Sequence, residues 1–116
     1  MKVKVFFIDD EPDICEIFSD EFSSQAIQVS VFTDPKVAIA ESFKCPPDVF
    51  FIDYRLPNTT GDLVANNLPP HIPKYLITGD SMASVPKGFE AVLSKPVDME
   101  KIWNTIRDLQ MKKNDA

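Results

Sequence analysis

The stretches VKVFFIDD at residues 3–10 and VFFID at residues 49–53 decide the fold of this chain, because each is an apolar run that ends in aspartate. Strands with helices packed on both faces have this nearly continuous apolar pattern, whereas strands with one face in water alternate. A third apolar run, at residues 74–78, and two other candidates complete the set. The five predicted strands are residues 3–9, 27–32, 48–53, 74–78 and 91–94.

Segments with helical periodicity separate most of these strands, and this alternation is typical of a parallel sheet flanked by helices. The candidate at residues 27–32 alternates apolar and polar side chains, so we expect it at an edge of the sheet. The predicted fold class is therefore α/β, with a doubly wound five-stranded parallel sheet.

Prolines and capping residues predict where the helices begin. Pro12 suits the first position of one helix, and Asp34 and Asp98 suit the caps of two others. Another helix fits only about residues 62–68, and residues 81–87 have room for a single turn or a loop. The apolar positions expected to face the core are Ile14, Ile17, Phe18 and Phe22 in the first helix, Ile39 and Phe43 in the second, and Met99, Ile102, Trp103, Ile106 and Leu109 in the last, whose polar end at residues 112–116 we expect to fray.

Length and composition restrict the function classes. The 116 residues fit one domain, 1–116, and 44% hydrophobic with 26% charged residues can fold as a globular core. The initiating methionine and the polar end favour a stand-alone protein. A net charge of −6 makes direct nucleic-acid binding or attachment to an anionic membrane unfavourable. No secretion-type apolar segment is present, so we expect a cytoplasmic protein with reduced thiols, Cys15 in the core and Cys45 in a loop.

Polar side chains of different types follow the central strands. Asp9 and Asp10 end the first strand, and Asp53, Thr78 and Lys95 end the third, fourth and fifth. Parallel strands place these ends at one edge, where ligands of open α/β sheets bind. Two carboxylates about 4 Å apart repel by about 4 kcal/mol at an effective dielectric near 20. One lysine has too little positive charge to neutralise three of them. The sequence therefore predicts an all-oxygen Mg²⁺ site.

A carboxylate beside Mg²⁺, with a hydroxyl and an ammonium nearby, can attack a phosphoryl group and form an aspartyl phosphate. Asp53 is the best nucleophile because it stands alone at its strand end, whereas Asp9 and Asp10 lie side by side and suit metal binding. Thr78 and Lys95 could then bind the attached phosphoryl group by hydrogen bond and by charge.

The motifs DDEP, DYRLPNTTG, ITGD and SKP together resemble the receiver domain of two-component response regulators. This resemblance covers essentially the whole chain and implies a flavodoxin-like sheet ordered 2-1-3-4-5 in the sequence of its strands. It implies that Asp53 is the phosphoacceptor, that Asp10 and Asp53 bind Mg²⁺ directly and Asp9 binds it through water. It also implies that the Arg55 carbonyl completes the metal shell.

Further implications of the resemblance concern the surrounding chain and its partners. The peptide bond between Lys95 and Pro96 is usually cis in the family, and Gly61 matches the glycine of the loop after the acceptor. The phosphoryl donor would be a sensor histidine kinase or a histidine phosphotransfer protein, and the recipient an unidentified downstream protein. The domain would be no enzyme beyond catalysing its own phosphotransfer and dephosphorylation.

Two departures from the family pattern affect signalling. Val92 stands three positions before the lysine, where receivers usually carry an aromatic switch residue. The 17 residues from Thr78 to Lys95 leave no room for a full fourth helix. We expect the readout to use the first helix, the last helix or the loop at residues 55–61. Arg55 and Asp80 follow the acceptor and the threonine by two residues, and a pair between them would obstruct the hydrolytic water.

Other functions stay open from the sequence. A phosphorylation-independent interaction scaffold would keep the pocket and signal without the aromatic switch. A magnesium-dependent hydrolase is less favoured, because the nucleophile segment lacks a DxD pattern and the chain has no cap region for a substrate. Taken singly, each aspartate could also be an ordinary loop or helix-start acid. His71 lies among prolines and is interpreted as a loop residue.

Overall fold

The computed structural model describes residues 2–115 and contains a five-stranded parallel sheet. Its strands are β1 (Val3–Ile8), β2 (Ile27–Phe32), β3 (Val49–Asp53), β6 (Lys74–Thr78) and β7 (Ala91–Ser94). The sheet order is β2-β1-β3-β6-β7, which is 2-1-3-4-5 counted along these five strands and confirms the implied topology. The predicted strands are confirmed, with β1 ending and β3 beginning one residue inside the predicted bounds.

Two helices cover each face of the sheet. The helices are α1 (Pro12–Phe22), α2 (Pro35–Lys44), α3 (Gly61–Ala65) and α4 (Met99–Asp115). One apolar cluster joins α1 and α4 to the sheet, and a second joins α2 and α3 to the opposite face. The strands with continuous apolar runs, β1 and β3, lie between both clusters, which is why neither strand alternates.

The buried face of α1 is narrower than predicted. Cys15, Phe18 and Phe22 face the core, whereas Ile14 is 36% and Ile17 54% exposed, so the expectation for these two isoleucines was wrong. Phe18 stacks on Phe7 of β1 with ring centroids 4.0 Å apart, and this contact fixes which side of the helix meets the sheet. Cys15 in the core is confirmed, as is the exposed Cys45.

The face that α2 buries also differs from the prediction. Ala38 and Ser42 are fully buried and Ile39 is half-buried, whereas Phe43 is 62% exposed, so the core position predicted for Phe43 was wrong. Aromatic rings from the strands already fill the space beneath this helix, including Phe6 and Phe50. Small side chains therefore face the sheet, and the large one points away from it.

The connections around β6 are short. After β3 the chain forms a small antiparallel hairpin of β4 (Arg55–Leu56) and β5 (Thr59–Thr60). None of the five strands predicted from the sequence includes these residues. The single-turn α3 confirms the expected short third helix, and the chain from Thr78 to Ala91 contains no helix. The predicted crossover without a full fourth helix is thus confirmed.

The end of α4 is held against the sheet rather than frayed. The helix continues to Asp115, while Ala116 lies outside the described residues. Lys113 Nζ lies 2.9 Å from Asp48 Oδ2 and donates a hydrogen bond of 2.9 Å to the carbonyl of Lys2. The expectation of a frayed tail was therefore wrong over the described part, because a lysine near the end finds two acceptors.

Candidate functional site

Three carboxylates meet at the carboxyl edge of the sheet. Asp9 follows β1 and is buried, Asp10 is half-buried, and Asp53 is the buried last residue of β3. One carboxylate oxygen from each residue lies within 4.8 Å of the others. The neighbouring register of β1 and β3 produces this cluster, since Ile8 pairs with Ile52 just before the acids. The predicted convergence of these three residues is confirmed.

Asp9 is the most perturbed acid of the cluster. The pKa of its carboxyl is raised to about 6, mainly by burial and in smaller part by the charges of Asp53 and Asp10, against the hydrogen bond from the Glu11 amide and the charge of Lys95. That amide donates to Asp9 Oδ1 at 2.9 Å and holds the side chain in place. Ionising all three acids is therefore unfavourable without a compensating cation.

Lys95 supplies one positive charge to the cluster. Its Nζ lies 2.7 Å from Asp53 Oδ1, and its side chain remains 40% exposed. Burial lowers the pKa of Lys95, but contact with Asp53 outweighs burial and the net pKa is raised. Asp53 Oδ1 is therefore in an ion pair with Lys95 and has no further hydrogen-bond partner among the described residues. A buried acceptor of this kind is available to a ligand.

The cluster fits a hard divalent cation by the chemistry of its donors. Three carboxylates each offer an oxygen ligand within 4.8 Å of the others, and the Lys95 ammonium is the cation that contacts Asp53 Oδ1. One lysine cannot balance three acids, and Mg²⁺ prefers oxygen ligands of this type. Asp9, Asp10 and Asp53 are thus the described residues that could hold the metal.

Thr78 and the Arg55–Asp80 pair lie beside the acid cluster, where β3 and β6 end. Thr78 is buried at the end of β6, where its Oγ1 accepts a hydrogen bond of 2.9 Å from the Asp80 amide. Arg55 Nε lies 2.8 Å from Asp80 Oδ2, so the ion pair considered from the sequence does form. The hydrogen bond that Arg55 Nε donates to the Asp80 carboxylate is the main reason that the pKa of Arg55 is raised. The pair joins the loop after Asp53 to the loop after Thr78.

The hairpin after Asp53 places the loop that carries Arg55. Its turn at Pro57 and Asn58 puts Asn58 at φ 63°, which asparagine tolerates better than most residues. A Pro-Asn turn with positive φ at its second position is the sequence signal that could have predicted this hairpin. At its end, a Cβ on Gly61 would lie 2.6 Å from the Asp53 carbonyl oxygen, so only glycine fits against the end of β3.

The apolar surroundings of the site were not predicted. A cavity of about 360 Å³ opens beside Asp9 and Lys95. Its apolar wall includes Ile14, Ile17 and Met99. The helical spacing of Ile14 and Ile17 gave no signal for this surface, because it predicted both isoleucines for the core. The exposed Ile14 and Ile17 therefore belong to the site surface rather than to the core.

The departures from the family pattern are visible in the structure. Val92 is half-buried on β7 and packs with Met82 against the α2 and α3 cluster. The peptide bond between Lys95 and Pro96 is cis, as the resemblance implied.

His71 is exposed in the loop before β6, as expected. Within residues 2–115, no helix is long and apolar enough to cross a bilayer.

Comparison with known proteins identifies the family. The sequence model described as the response regulator receiver domain matches residues 5–107. The chain belongs to the response regulator receiver domain family. Response regulator PleD of Caulobacter vibrioides is 25% identical over 119 residues, which cover 94% of this chain and 26% of that protein. The probable transcriptional regulatory protein TcrX of Mycobacterium tuberculosis is 29% identical over 115 residues, covering 92% and 49%.

Solved structures show the same receiver fold. A two-component response regulator from Clostridium difficile superposes with a TM-score of 0.84 at 18% identity, covering 97% of this chain and 99% of that chain. The chemotaxis protein CheY4 of Vibrio cholerae gives a TM-score of 0.80 at 20% identity, covering 94% and 99%. This receiver domain spans only 26% of PleD and 49% of TcrX, the relatives named above.

Proposed function

We propose that this receiver domain accepts a phosphoryl group on Asp53 from a phosphohistidine donor and so switches its binding to other proteins in the cytoplasm. The donor would be a sensor histidine kinase or a histidine phosphotransfer protein. The observation that carries the proposal is the buried Asp53, with Asp9 and Asp10 within 4.8 Å and Lys95 Nζ at 2.7 Å. Membership of the receiver family supports the same reaction class.

In the transfer, an oxygen of Asp53 forms a bond to phosphorus as the nitrogen–phosphorus bond of the donor breaks. Lys95 is close enough to Asp53 to stay with the phosphoryl group once it is attached. Thr78 Oγ1 accepts from the Asp80 amide, which leaves its own hydroxyl proton free to donate to a phosphoryl oxygen. Both groups would stabilise the product by charge and hydrogen bonding.

We propose Mg²⁺ as the cofactor of this reaction. Asp10 and Asp53 would bind it directly, Asp9 would bind it through water, and the backbone carbonyl of Arg55 would complete the ligand set. When bound, Mg²⁺ neutralises charge on the carboxylates and on the phosphoryl oxygens. The perturbed pKa of Asp9 supports this proposal, because a buried acid of this kind gains from a neighbouring cation.

Incubation with acetyl phosphate and Mg²⁺, followed by intact-mass measurement, tests the proposal. We expect one adduct of about 80 Da, the mass of a single phosphoryl group. Asp53→Ala should abolish the adduct, whereas Asp108→Ala, which removes an exposed acid on α4, should leave it. Failure to form the adduct at any magnesium concentration would contradict the proposal. We expect no turnover of a panel of phosphate esters, since the domain would catalyse only its own phosphotransfer and dephosphorylation.

A phosphorylation-independent scaffold is the second candidate, and one observation favours it. Val92 occupies a half-buried site and the chain from Thr78 to Ala91 has no helix, so an aromatic switch has neither its residue nor its helix. A folded protein that forms no adduct yet retains a partner would support this candidate over the first.

If phosphorylation occurs, we propose that α1, α4 or the loop at residues 55–61 carries the readout. Nuclear magnetic resonance with a phosphate analogue and Mg²⁺ should then shift amides in these segments. Shifts confined to residues 81–94 would contradict this choice of surface.

A further inference from the structure

A second charged site lies at the opposite edge of the sheet from the acids. Lys74 is the first residue of β6 and is only 3% exposed. Its Nζ donates hydrogen bonds to the carbonyls of Pro69 at 2.7 Å and Ile72 at 2.9 Å. Among the described residues no carboxylate lies within ion-pair distance of this ammonium. A buried lysine without an anionic partner is rare in folded proteins.

The two carbonyls explain how the side chain is held but leave its charge unbalanced. An ammonium has three N–H donors, and its hydrogen bonds within residues 2–115 use two of them. The ring of Phe50, with its centroid 5.6 Å from Nζ, faces the same ammonium. Burial lowers the pKa of Lys74, and the charge of Glu90 opposes this from beyond contact distance. An anion beside Nζ would compensate the desolvated charge.

A cavity of about 300 Å³ adjoins Lys74. Its walls combine apolar residues of the α3 end and the following loop with a second lysine, Lys87, at the turn before β7. The turn is sharp because Gly88 has φ +94°, which favours glycine. Apolar walls with a few polar groups at defined positions are the usual composition of a small-molecule site. Its lining residues are Ala65, Asn66, Leu68, Pro70, Lys74, Lys87 and Gly88.

We propose that this cavity binds a small organic anion, with a carboxylate or phosphate head between Lys74 and Lys87 and an apolar body against Leu68 and Pro70. The two lysines supply donors that match an oxyanion. The site is separate from the acid cluster, since Lys74 begins β6 and Thr78 ends it. It does not depend on phosphorylation of Asp53. The short connection before β7 creates it by bringing Lys87 to the end of the sheet.

Titration of the labelled protein with benzoate, phenyl phosphate and neutral benzamide tests this inference by nuclear magnetic resonance. We expect saturable shifts of the Asn66, Lys74 and Gly88 amides, and of the Lys74 and Lys87 side-chain nitrogens, with the two anions. Benzamide has nearly the same shape as benzoate but no charge, and should give none of these shifts. Comparing benzoate with phenyl phosphate shows which of the two head groups the lysines prefer.

Lys87→Gln should weaken anion binding severalfold while leaving the fold intact, because Lys87 is exposed. Lys101→Gln, which removes an exposed lysine on α4, is the matched control and should bind as the unchanged protein does. Equal binding of benzamide and benzoate, an affinity unaffected by Lys87→Gln, or shifts confined to the surroundings of Lys95 would each overturn the proposal.

Discussion

Arg55 Nε and Asp80 Oδ2 lie 2.8 Å apart and join the loop that follows Asp53 to the loop that follows Thr78. A hydrogen bond holds Asp80 in position for this pair, because its backbone amide donates to Thr78 Oγ1 at 2.9 Å. The Arg55 side chain is 78% exposed, so it can move away without disturbing the core. If Asp53 is phosphorylated as proposed, we expect the pair to restrict the access of water to the phosphoryl group.

Arg55→Ala should therefore shorten the lifetime of phosphorylated Asp53. The removed side chain would no longer obstruct the attacking water, and we expect a change of a few-fold, since exposed ion pairs are weak. Decay of the phosphorylated species, followed by intact mass, measures the rate. Arg107→Ala, at an exposed position on α4, serves as the control. An unchanged decay rate in Arg55→Ala would show that Arg55 does not obstruct the attacking water.

The stability of the metal-free protein should fall as pH rises through the titration of Asp9. The folded carboxyl has a pKa of about 6, above its ordinary value of 3.8. Between these values the folded state binds more protons than the unfolded state, so the free energy of unfolding decreases with pH. The cost above pH 6 is on the order of 1–3 kcal/mol.

Urea unfolding in the presence of a chelator, at several pH values, measures this dependence. Asp9→Asn should remove this pH dependence and stabilise the metal-free protein at neutral pH. Asparagine does not titrate, and its side-chain oxygen can still accept the hydrogen bond from the Glu11 amide. Asp20→Asn, at an exposed site on α1, should keep the original slope. If the free energy of unfolding changed with pH equally in both variants, Asp9 would not be the source of the pH dependence.

Gly61→Ala should destabilise the protein by about 1–3 kcal/mol, the usual cost of overfilling a packed site. The added methyl would meet the Asp53 carbonyl oxygen at 2.6 Å and Leu76 Cδ1 at 2.8 Å. Because one of these contacts is with the backbone of Asp53 itself, we expect the rate of its phosphorylation to fall as well. Gly79→Ala is a matched control, since its nearest neighbour would lie at an ordinary 3.9 Å. Equal stability of both variants, measured in urea, would refute the prediction.

Lys113→Ala should loosen the end of α4 by removing two contacts at once. Its ammonium reaches the carbonyl of Lys2 and the carboxylate of Asp48, which itself accepts from the Lys4 amide at 2.7 Å. We expect a loss of about 0.5–1 kcal/mol and faster amide exchange in the last turns of α4. Lys112→Ala, one residue earlier and exposed, should behave like the unchanged protein.

Thiol reagents should modify Cys45 and spare Cys15 in the folded protein. Burial raises the pKa of the Cys15 thiol to about 11, and the charge of Asp9 adds to the effect, so little thiolate forms at neutral pH. Cys45 is exposed. Mass spectrometry should therefore find one label under native conditions and two after unfolding. Rapid labelling of Cys15 in the native protein would be inconsistent with its buried position.

Much of the sheet and the acid edge could be predicted because each depends on local pattern. An apolar run that ends in a polar residue fixes both a strand and the position of that residue, as at Asp53. The Arg55–Asp80 pair was predictable for the same reason, since each residue follows a strand end by two positions. Strand ends are therefore the best-defined positions in this sequence.

The errors occurred where a distant partner decides the outcome. Periodicity alone cannot show that aromatic rings on β1 and β3 leave no space for Phe43, or that Phe18 rather than Ile17 meets the sheet. The contact of Lys113 with Lys2 spans nearly the whole chain and leaves no local signal. Lys74 was equally hidden, because a lysine at the start of a strand is usually exposed.

The connection without a helix also affects how the sheet opens. β7 has four residues, pairs with β6 alone in the sheet, and is followed at once by Lys95. Short outer strands with few neighbours separate from a sheet at lower free energy than central ones. Brief detachment of β7 would draw the Lys95 ammonium away from Asp53, so fluctuations of this edge strand would change the charge around Asp53 while the central strands stay paired.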